Sequence, residues 1–179
     1  EDPMIPLTES LIRSSFVNAS KGDAKRALLP DLDGIDFERL DLLGWQDAKR
    51  PTLHYVSLEL DGEVATVLLR GAARPPAKKL LCSWCEDIVD GIRAASFVAP
   101  LGGDSGRRGN TIGTAICADL RCSRNVRRAP SSFELRSEDP ALLAYHREQN
   151  IPRPPEHSTR HARPHKATTS RRPPGHGRP

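Results

Sequence analysis

Four cysteines in two close pairs constrain the fold of this chain more than any other feature. The first pair reads "CSWC" and the second "CADLRC", so the spacing is C-x2-C, 31 intervening residues and C-x4-C. Proteins build tetrahedral zinc sites from two such close cysteine pairs, each of which supplies two of the four thiolate ligands. Four thiolates leave no coordination position open, so we predict one structural Zn²⁺ and no catalytic metal. The predicted ligands are Cys82, Cys85, Cys117 and Cys122.

Three other interpretations of the four thiols stay open from the sequence alone. Two disulfides would need an oxidising compartment, and the first residues of the chain lack the basic flank and apolar run of a secretory signal. A redox enzyme using the C-x2-C thiols would be expected in a βαβ context, which the pattern around Cys82 does not provide. Four buried thiols without a metal would be a coincidence at this spacing. We therefore predict a cytoplasmic zinc protein.

Positive and negative charges are unevenly distributed along the chain. Residues 1–66 carry seven Lys/Arg against thirteen Asp/Glu, whereas residues 67–130 carry eleven against five and residues 151–179 carry seven against one. The basic character therefore belongs to the cysteine-bearing segment and to the C-terminal end. Such segments favour an anionic partner, which is either an acidic protein surface or a nucleic acid. No run approaches the roughly 18 apolar residues of a membrane-spanning helix, so we expect no membrane partner.

The apolar pattern predicts a small α+β protein that begins with short helices. The first helix is predicted over residues 7–19, with Thr8 as its N-cap, and a second short helix is expected before Pro30. A third helix is predicted over residues 36–43, with its end at Gly44.

An antiparallel β meander is predicted to follow these helices. The β-rich runs "TLHYVSLEL" and "VATVLLR" lie on either side of Asp61-Gly62, a strong hairpin signal. Two more strands, "AASFVAP" and "NTIGTAIC", flank the glycine-rich "LGGDSGRRG", which we interpret as a hairpin loop. A basic helix is predicted for "ADLRCSRNVRR". The order of knuckle, hairpin and helix start is that of a treble clef, with the first cysteine pair in the knuckle and the second at the N-terminus of the helix.

The chain is predicted to divide into three segments. Residues 4–130 form one domain, which contains the zinc finger at 82–128. Residues 131–150 form a weakly structured extension with a short helix at 140–148. Residues 151–179 contain seven prolines and almost no apolar side chains. This tail cannot bury enough surface to offset its chain entropy, so we predict that it is disordered.

Several motifs resemble one known family when they are taken in order along the chain. They are "SFVNASKGDAKRALLP", "LGWQDAK", "CSWC", "GRRGNTIGTAICADLRCS" and "NVRR". Together they resemble the elongation factor G-binding family, and more narrowly its treble-clef zinc-finger domain as found in actinobacterial homologues. The better-known relatives are the fusidic acid resistance proteins of staphylococci. The resemblance covers about residues 4 to 130, and the stretch around the second cysteine pair is its most specific part.

The resemblance implies a function that composition alone does not. Members of the family bind elongation factor G, largely through the zinc-finger domain, and promote its release from the ribosome when the drug stalls it. On this chain the four cysteines match the zinc ligands of the family. The basic residue ahead of the third cysteine falls on Arg107 or Arg108. The resistance proteins carry an aromatic residue between the first two cysteines, where this chain has Ser83 followed by Trp84.

The candidate partner-binding residues are six arginines and one tryptophan near the cysteines. The arginines either form a docking face for an acidic surface or ribosomal RNA, or are an ordinary solvated face. The tryptophan is either an exposed interface anchor or a core residue beside the zinc. We expect no catalytic residues, since no nucleophile elbow, phosphate loop or zinc-protease motif is present in the sequence. We also expect the protein to be a monomer. The candidates are Trp84, Arg107, Arg108, Arg121, Arg124, Arg127 and Arg128.

Overall fold

The computed structural model describes residues 4–74, 81–85, 94–129, 132, 134–137, 139 and 141. Five strands form one sheet in the order β1-β2-β3-β4-β5, and every neighbouring pair is antiparallel, so the predicted meander is confirmed. The strands are β1 (Leu42–Gln46), β2 (Leu53–Leu60), β3 (Glu63–Arg70), β4 (Ala94–Pro100) and β5 (Thr111–Cys117). The helices are α1 (Glu9–Ser14), α2 (Lys21–Arg26), α3 (Gly103–Arg107), α4 (Cys122–Val126) and α5 (Glu134–Ser137), with a 3-10 turn at Phe37–Arg39.

The first helix begins where the sequence predicts and ends earlier. Thr8 is its N-cap, because the Thr8 hydroxyl accepts a hydrogen bond from the Leu11 N–H at 3.2 Å. The predicted extension to residue 19 is wrong, since the chain leaves the helix to run alongside β3. The Val17 N–H donates to the Thr66 carbonyl at 3.0 Å, and the Thr66 N–H donates to the Ser15 carbonyl at 2.9 Å.

The predicted helix over residues 36–43 is also wrong. Only a 3-10 turn forms there, and residues 42–46 form strand β1 against β2. Pairing with β2 lets Leu42 and Leu43 pack on opposite faces of the sheet, which a helix would not allow. Gly44 does not end a helix. Its Cα faces the chain at Leu120, and an added Cβ would lie 2.4 Å from the Leu120 Cβ and 2.9 Å from its carbonyl oxygen.

The β2–β3 hairpin confirms the turn signal at Asp61-Gly62. Both residues have positive φ angles, 52° and 77°, and the strands stay in register from the turn to Arg70 opposite Leu53. A two-residue turn with two left-handed residues matches the right-handed twist of the strands, and Gly62 adopts this conformation without a Cβ penalty.

The two faces of strands β1–β3 carry two separate hydrophobic cores, because side chains alternate along a strand. On one face lies the N-terminal cluster, which packs under α1 and α2. It consists of Met4, Leu7, Ile12, Ala27, Phe37, Leu43, Trp45, Tyr55 and Leu68. On the other face lies the cysteine cluster, which contains the four cysteines. Its other members are Leu42, Val56, Leu58, Leu69, Trp84, Ala94, Ala95, Phe97, Ala99, Ile116, Leu120 and Val126.

Strands β3 and β4 pair only at Arg70 opposite Val98, and one side chain supports this narrow junction. The Asn18 amide NH₂ donates to the carbonyls of Leu68 and Pro100, each at 2.9 Å, and its carbonyl oxygen accepts from the Leu68 N–H at 2.8 Å. The Asn18 side chain therefore bridges β3 and β4 with hydrogen bonds like those that a paired strand residue would make. It links the N-terminal segment to the β4–β5 hairpin.

The remaining predictions concern segments of which little is described. The short helix α5 lies in the predicted extension. Apart from residue 141, the helix predicted over residues 140–148 lies outside the described residues, as does the tail over residues 151–179. Within the described ranges, none of the helices combines the length and the apolar character that crossing a membrane requires.

Candidate metal centre

The first cysteine pair lies in a tight turn that is attached to the edge of β5. The Ser83 N–H donates to the Ala115 carbonyl at 2.8 Å, and the Ser83 hydroxyl donates to the same carbonyl at 2.8 Å. The Ser83 hydroxyl also lies 2.9 Å from the Thr114 hydroxyl. These hydrogen bonds attach Ser83 to β5 at Ala115. Cys82 and Cys85 lie on either side of this attachment, and both side chains are buried in the core.

The second cysteine pair spans the step from strand to helix. Cys117 is the last residue of β5 and Cys122 is the first of α4, so the prediction that both lie at the helix N-terminus holds for Cys122 alone. The connection is a turn in which the Leu120 N–H donates to the Cys117 carbonyl at 2.9 Å. Leu120 has a φ of 58°, and Asp119 accepts a hydrogen bond from the Arg121 N–H at 3.0 Å.

The geometry of the four sulfurs is that of one zinc site. All four lie within 4.8 Å of one another, with 3.7 Å between the sulfurs of Cys82 and Cys122 and 3.5 Å between those of Cys85 and Cys117. A tetrahedral site with Zn–S bonds of about 2.3 Å has sulfur–sulfur edges of about 3.8 Å, whereas a disulfide bond measures about 2.05 Å. All four side chains are buried and none is in a disulfide. The cysteines therefore form a closed structural zinc site in a treble clef.

The electrostatics of the cluster call for a cation. Hydrogen bonds from Cys117, Cys122 and Cys85 hold the pKa of the Cys82 thiol far below its usual range. Its neighbours Cys117, Cys82 and Cys85 raise the pKa of the Cys122 thiol, and burial adds to that rise. Thiols this close cannot all ionise alone, whereas a bound dication compensates four thiolates. The Asn125 amide donates to the Cys117 sulfur at 3.2 Å, which is the kind of outer hydrogen bond that orients a metal ligand.

The structure places Trp84 in the core. It is 7 % exposed and belongs to the cysteine cluster, which agrees with the packing alternative. In the part of the chain that the structure describes, its indole N–H lacks a hydrogen-bond partner. Trp45, by contrast, donates its indole N–H to the Leu28 carbonyl at 2.9 Å. A partner contact through Trp84 stays a prediction, and the burial of this ring does not support it.

The six candidate arginines fall into two groups around the zinc site. Arg107 and Arg108 lie at the β4–β5 connection, where the predicted hairpin loop contains the short helix α3, and Arg107 pairs with Asp104. Of the other four, Arg121 lies between the cysteines of the second pair, and Arg124, Arg127 and Arg128 follow Cys122. The helix α4 is shorter than predicted and contains only Arg124. Arg121 and Arg124 are exposed, and Arg127 forms an ion pair with Asp41. Arg128 is half-buried.

Two residues that contact the site were not predicted from the sequence. The Ser123 hydroxyl accepts hydrogen bonds from the N–H groups of Asp41 and Leu42, at 3.0 and 3.3 Å. The Asp41 carboxylate accepts two hydrogen bonds from Arg127. These contacts join positions more than 80 residues apart, so no local pattern could indicate them.

The fold and the four-sulfur site together define a treble-clef zinc-finger protein. Residues 11–160 match the family described as the FBP C-terminal treble-clef zinc-finger. This match spans most of the chain, and the chain belongs to that family. The finding confirms the predicted resemblance at the level of the family, while the actinobacterial branch stays a prediction.

The chain is also similar to proteins of known structure. The chain is similar to a protein solved as "Structure of the fusidic acid resistance protein FusC", with 19% sequence identity and a TM-score of 0.49. The similarity covers 84% of this chain and 60% of that chain, so the chain spans well under the full length of that protein. No curated protein matches the chain.

Proposed function

We propose that this chain is a non-enzymatic, cytoplasmic zinc protein that binds elongation factor G and promotes its release from the ribosome. Family membership and the resemblance of the motifs around the second cysteine pair support the proposal. The observation that carries it is the placement of Arg121 and Arg124. Both are exposed on the segment that the zinc site fixes, and among the described residues neither guanidinium forms an ion pair.

Exposed guanidinium groups on a fixed backbone suit an acidic protein surface. Arginine presents a planar set of donors that matches carboxylates, and a fixed position lowers the entropy lost on binding. Electrostatic complementarity of this kind raises the association rate and selects the partner. To promote release, the chain must bind more tightly to the conformation of the factor that leaves the ribosome than to the one that stays. The closed zinc site contributes shape and no chemistry.

Pull-down from a nuclease-treated lysate tests the proposed binding. The zinc-loaded chain should retain elongation factor G, and the charge reversal Arg121→Glu/Arg124→Glu should reduce retention about tenfold or more. The matched control is Lys21→Glu/Lys25→Glu, which changes the net charge equally at exposed positions of α2. The control should retain the factor as the unmodified chain does. Failure of the unmodified chain to retain elongation factor G would overturn the proposal.

Release from the ribosome needs its own measurement. Ribosomes stalled with elongation factor G and fusidic acid would be sedimented after addition of the zinc-loaded chain. The proposal expects the factor to move from the pellet to the supernatant in proportion to the added chain. Binding of the free factor without this transfer would support elongation factor G as the partner and would contradict the proposed role in its release.

Ribosomal RNA is the second candidate partner, because residues 67–130 carry an excess of six positive charges. An RNA complex would lose affinity steeply with salt, since each phosphate contact releases a counterion. It would also disappear on nuclease treatment. Tight, salt-sensitive binding of ribosomal RNA without retention of the factor would favour this candidate over the first.

A further inference from the structure

Helix α4 is too short to keep its own position. It has five residues, and isolated helices of this length are unstable in water. Its direction must therefore come from what it is attached to. At its first residue the attachment is the zinc site, through Cys122. One fixed end leaves a short helix free to tilt and fray at the other, so the orientation of Arg124, in the middle of the helix, depends on a second attachment.

The second attachment is a clamp between the end of α4 and the residue before β1. Arg127 donates to both carboxylate oxygens of Asp41, at 2.6 and 2.8 Å, and also to the Ser123 carbonyl at 3.0 Å. Ser123 accepts the N–H of Asp41 at 3.0 Å through its hydroxyl. The Asp41 side chain is only 14% exposed and that of Arg127 39%. A bidentate ion pair with a largely buried carboxylate fixes the orientation of the guanidinium group as well as its distance from the carboxylate.

We propose that Arg127 is a positioning residue and not a contact for the partner. Together with Asp41 and Ser123 it orients α4 so that Arg124, which lies between the two attachments, and Arg121, which immediately precedes Cys122, present one fixed cationic face. This inference rests on the proposed binding of an acidic partner for its functional part. The arginine candidates thereby divide by role: Arg121 and Arg124 bind, and Arg127 holds them in place.

The ion pair of Arg107 shows why burial matters here. Arg107 pairs with Asp104, but the two side chains are 74% and 76% exposed, so solvent and salt screen the pair. The Asp41–Arg127 pair joins two segments 86 positions apart, whereas the Asp104–Arg107 pair spans three positions within one loop. Only the first can fix α4 against the sheet.

The variants Arg127→Gln and Asp41→Asn separate positioning from direct contact. If Arg127 touched an acidic partner, Asp41→Asn would leave binding unchanged or strengthen it, because all arginines remain and one negative charge is lost. Positioning predicts that both variants weaken the binding of purified elongation factor G by about tenfold, a loss typical of a coupled charge pair. The double variant should be no weaker than either single one. The control Asp104→Asn should bind within about twofold of the unmodified chain.

Amide hydrogen exchange gives a second readout that needs no partner. In the zinc-loaded protein, Asp41→Asn should speed exchange at residues 124–128 by about tenfold, while one zinc per chain is retained. Unchanged exchange there, or Asp41→Asn binding as tightly as the unmodified chain while Arg127→Gln does not, would overturn the positioning role. If the unmodified chain failed to bind the factor, the proposed function would fall, and the exchange result would still decide whether the clamp exists.

Discussion

The N-terminal cluster and the cysteine cluster occupy opposite faces of the same strands, and they are stabilised in different ways. The N-terminal cluster contains large side chains, among them Tyr55, whose ring lies 5.3 Å from that of Trp45 and 5.8 Å from that of Phe16. In the cysteine cluster, strand β4 contributes mostly small residues such as Ala94, Ala95 and Ala99. Apolar burial scales with side-chain area, so the β4–β5 hairpin gains less from packing. The comparison indicates that the zinc site replaces part of a hydrophobic core on that side.

The largest effect should come from zinc removal. We expect chelation, or Cys122→Ser, to abolish protection of the amides of β4, β5 and α4, while the β2–β3 hairpin keeps part of its protection. Structural zinc is worth about 10–16 kcal/mol in zinc-finger peptides, which matches or exceeds the whole stability of an ordinary domain, about 5–15 kcal/mol. Hydrogen exchange followed by mass spectrometry measures both regions at once. Equal loss of amide protection in the two regions would contradict the claim that the two clusters are stabilised in different ways.

A smaller effect is expected from Gly44→Ala, which disturbs the contact between β1 and the turn that carries the second cysteine pair. The added Cβ would lie 2.9 Å from the Leu120 carbonyl oxygen, so the backbone must shift, at a cost of about 1–3 kcal/mol. Urea unfolding at constant zinc measures it. Gly34→Ala is the control, because nothing lies within 4 Å of its added Cβ. Equal stability of the two variants would contradict the close approach.

Asn18→Ala should cost about 1–2 kcal/mol and should act on both clusters. It leaves the N–H and carbonyl of Leu68 and the carbonyl of Pro100 without their partner at the β3–β4 junction. Thermal unfolding of the zinc-loaded chain tests this. The control is Asn110→Ala, which removes one exposed hydrogen bond to Ser105. If the two substitutions had the same small effect, the bridging role of Asn18 would be wrong.

The smallest effect concerns the pH dependence of stability and His54. His54 is buried with its ring 4.9 Å from that of Phe97, and burial lowers its pKa below 6.5. The neutral form is therefore favoured by folding. The contribution of neutral His54 to the free energy of unfolding is fully present above pH 6.5. It is lost as the pH falls from there towards the lowered pKa, with a slope of at most about 1.4 kcal/mol per pH unit.

His54→Phe tests this by removing the titrating group. Urea unfolding of both proteins between pH 7.5 and 5.5, with zinc content checked at each pH, should show a flatter dependence for the variant. Identical slopes would show that His54 takes no part in the pH dependence.

Features that depend on neighbouring residues could be predicted from the sequence, and features that depend on distant ones could not. The Asp61-Gly62 turn, the Thr8 cap and the cysteine spacing are local, and the structure agrees with each. The predicted helix over residues 36–43 included the first two residues of β1. The prediction failed there because pairing with β2, and the contact of Gly44 with Leu120, override local propensity. The Asp41–Arg127 clamp was missed for the same reason.

The most direct test of the central claim is an equilibrium titration of purified, nuclease-treated elongation factor G with the zinc-loaded chain. The account predicts saturable one-to-one binding that weakens about tenfold or more in Arg121→Glu/Arg124→Glu and stays unchanged in Lys21→Glu/Lys25→Glu. Absence of binding, or equal weakening by both reversals, would contradict the claim that the zinc site presents a specific cationic face to this factor.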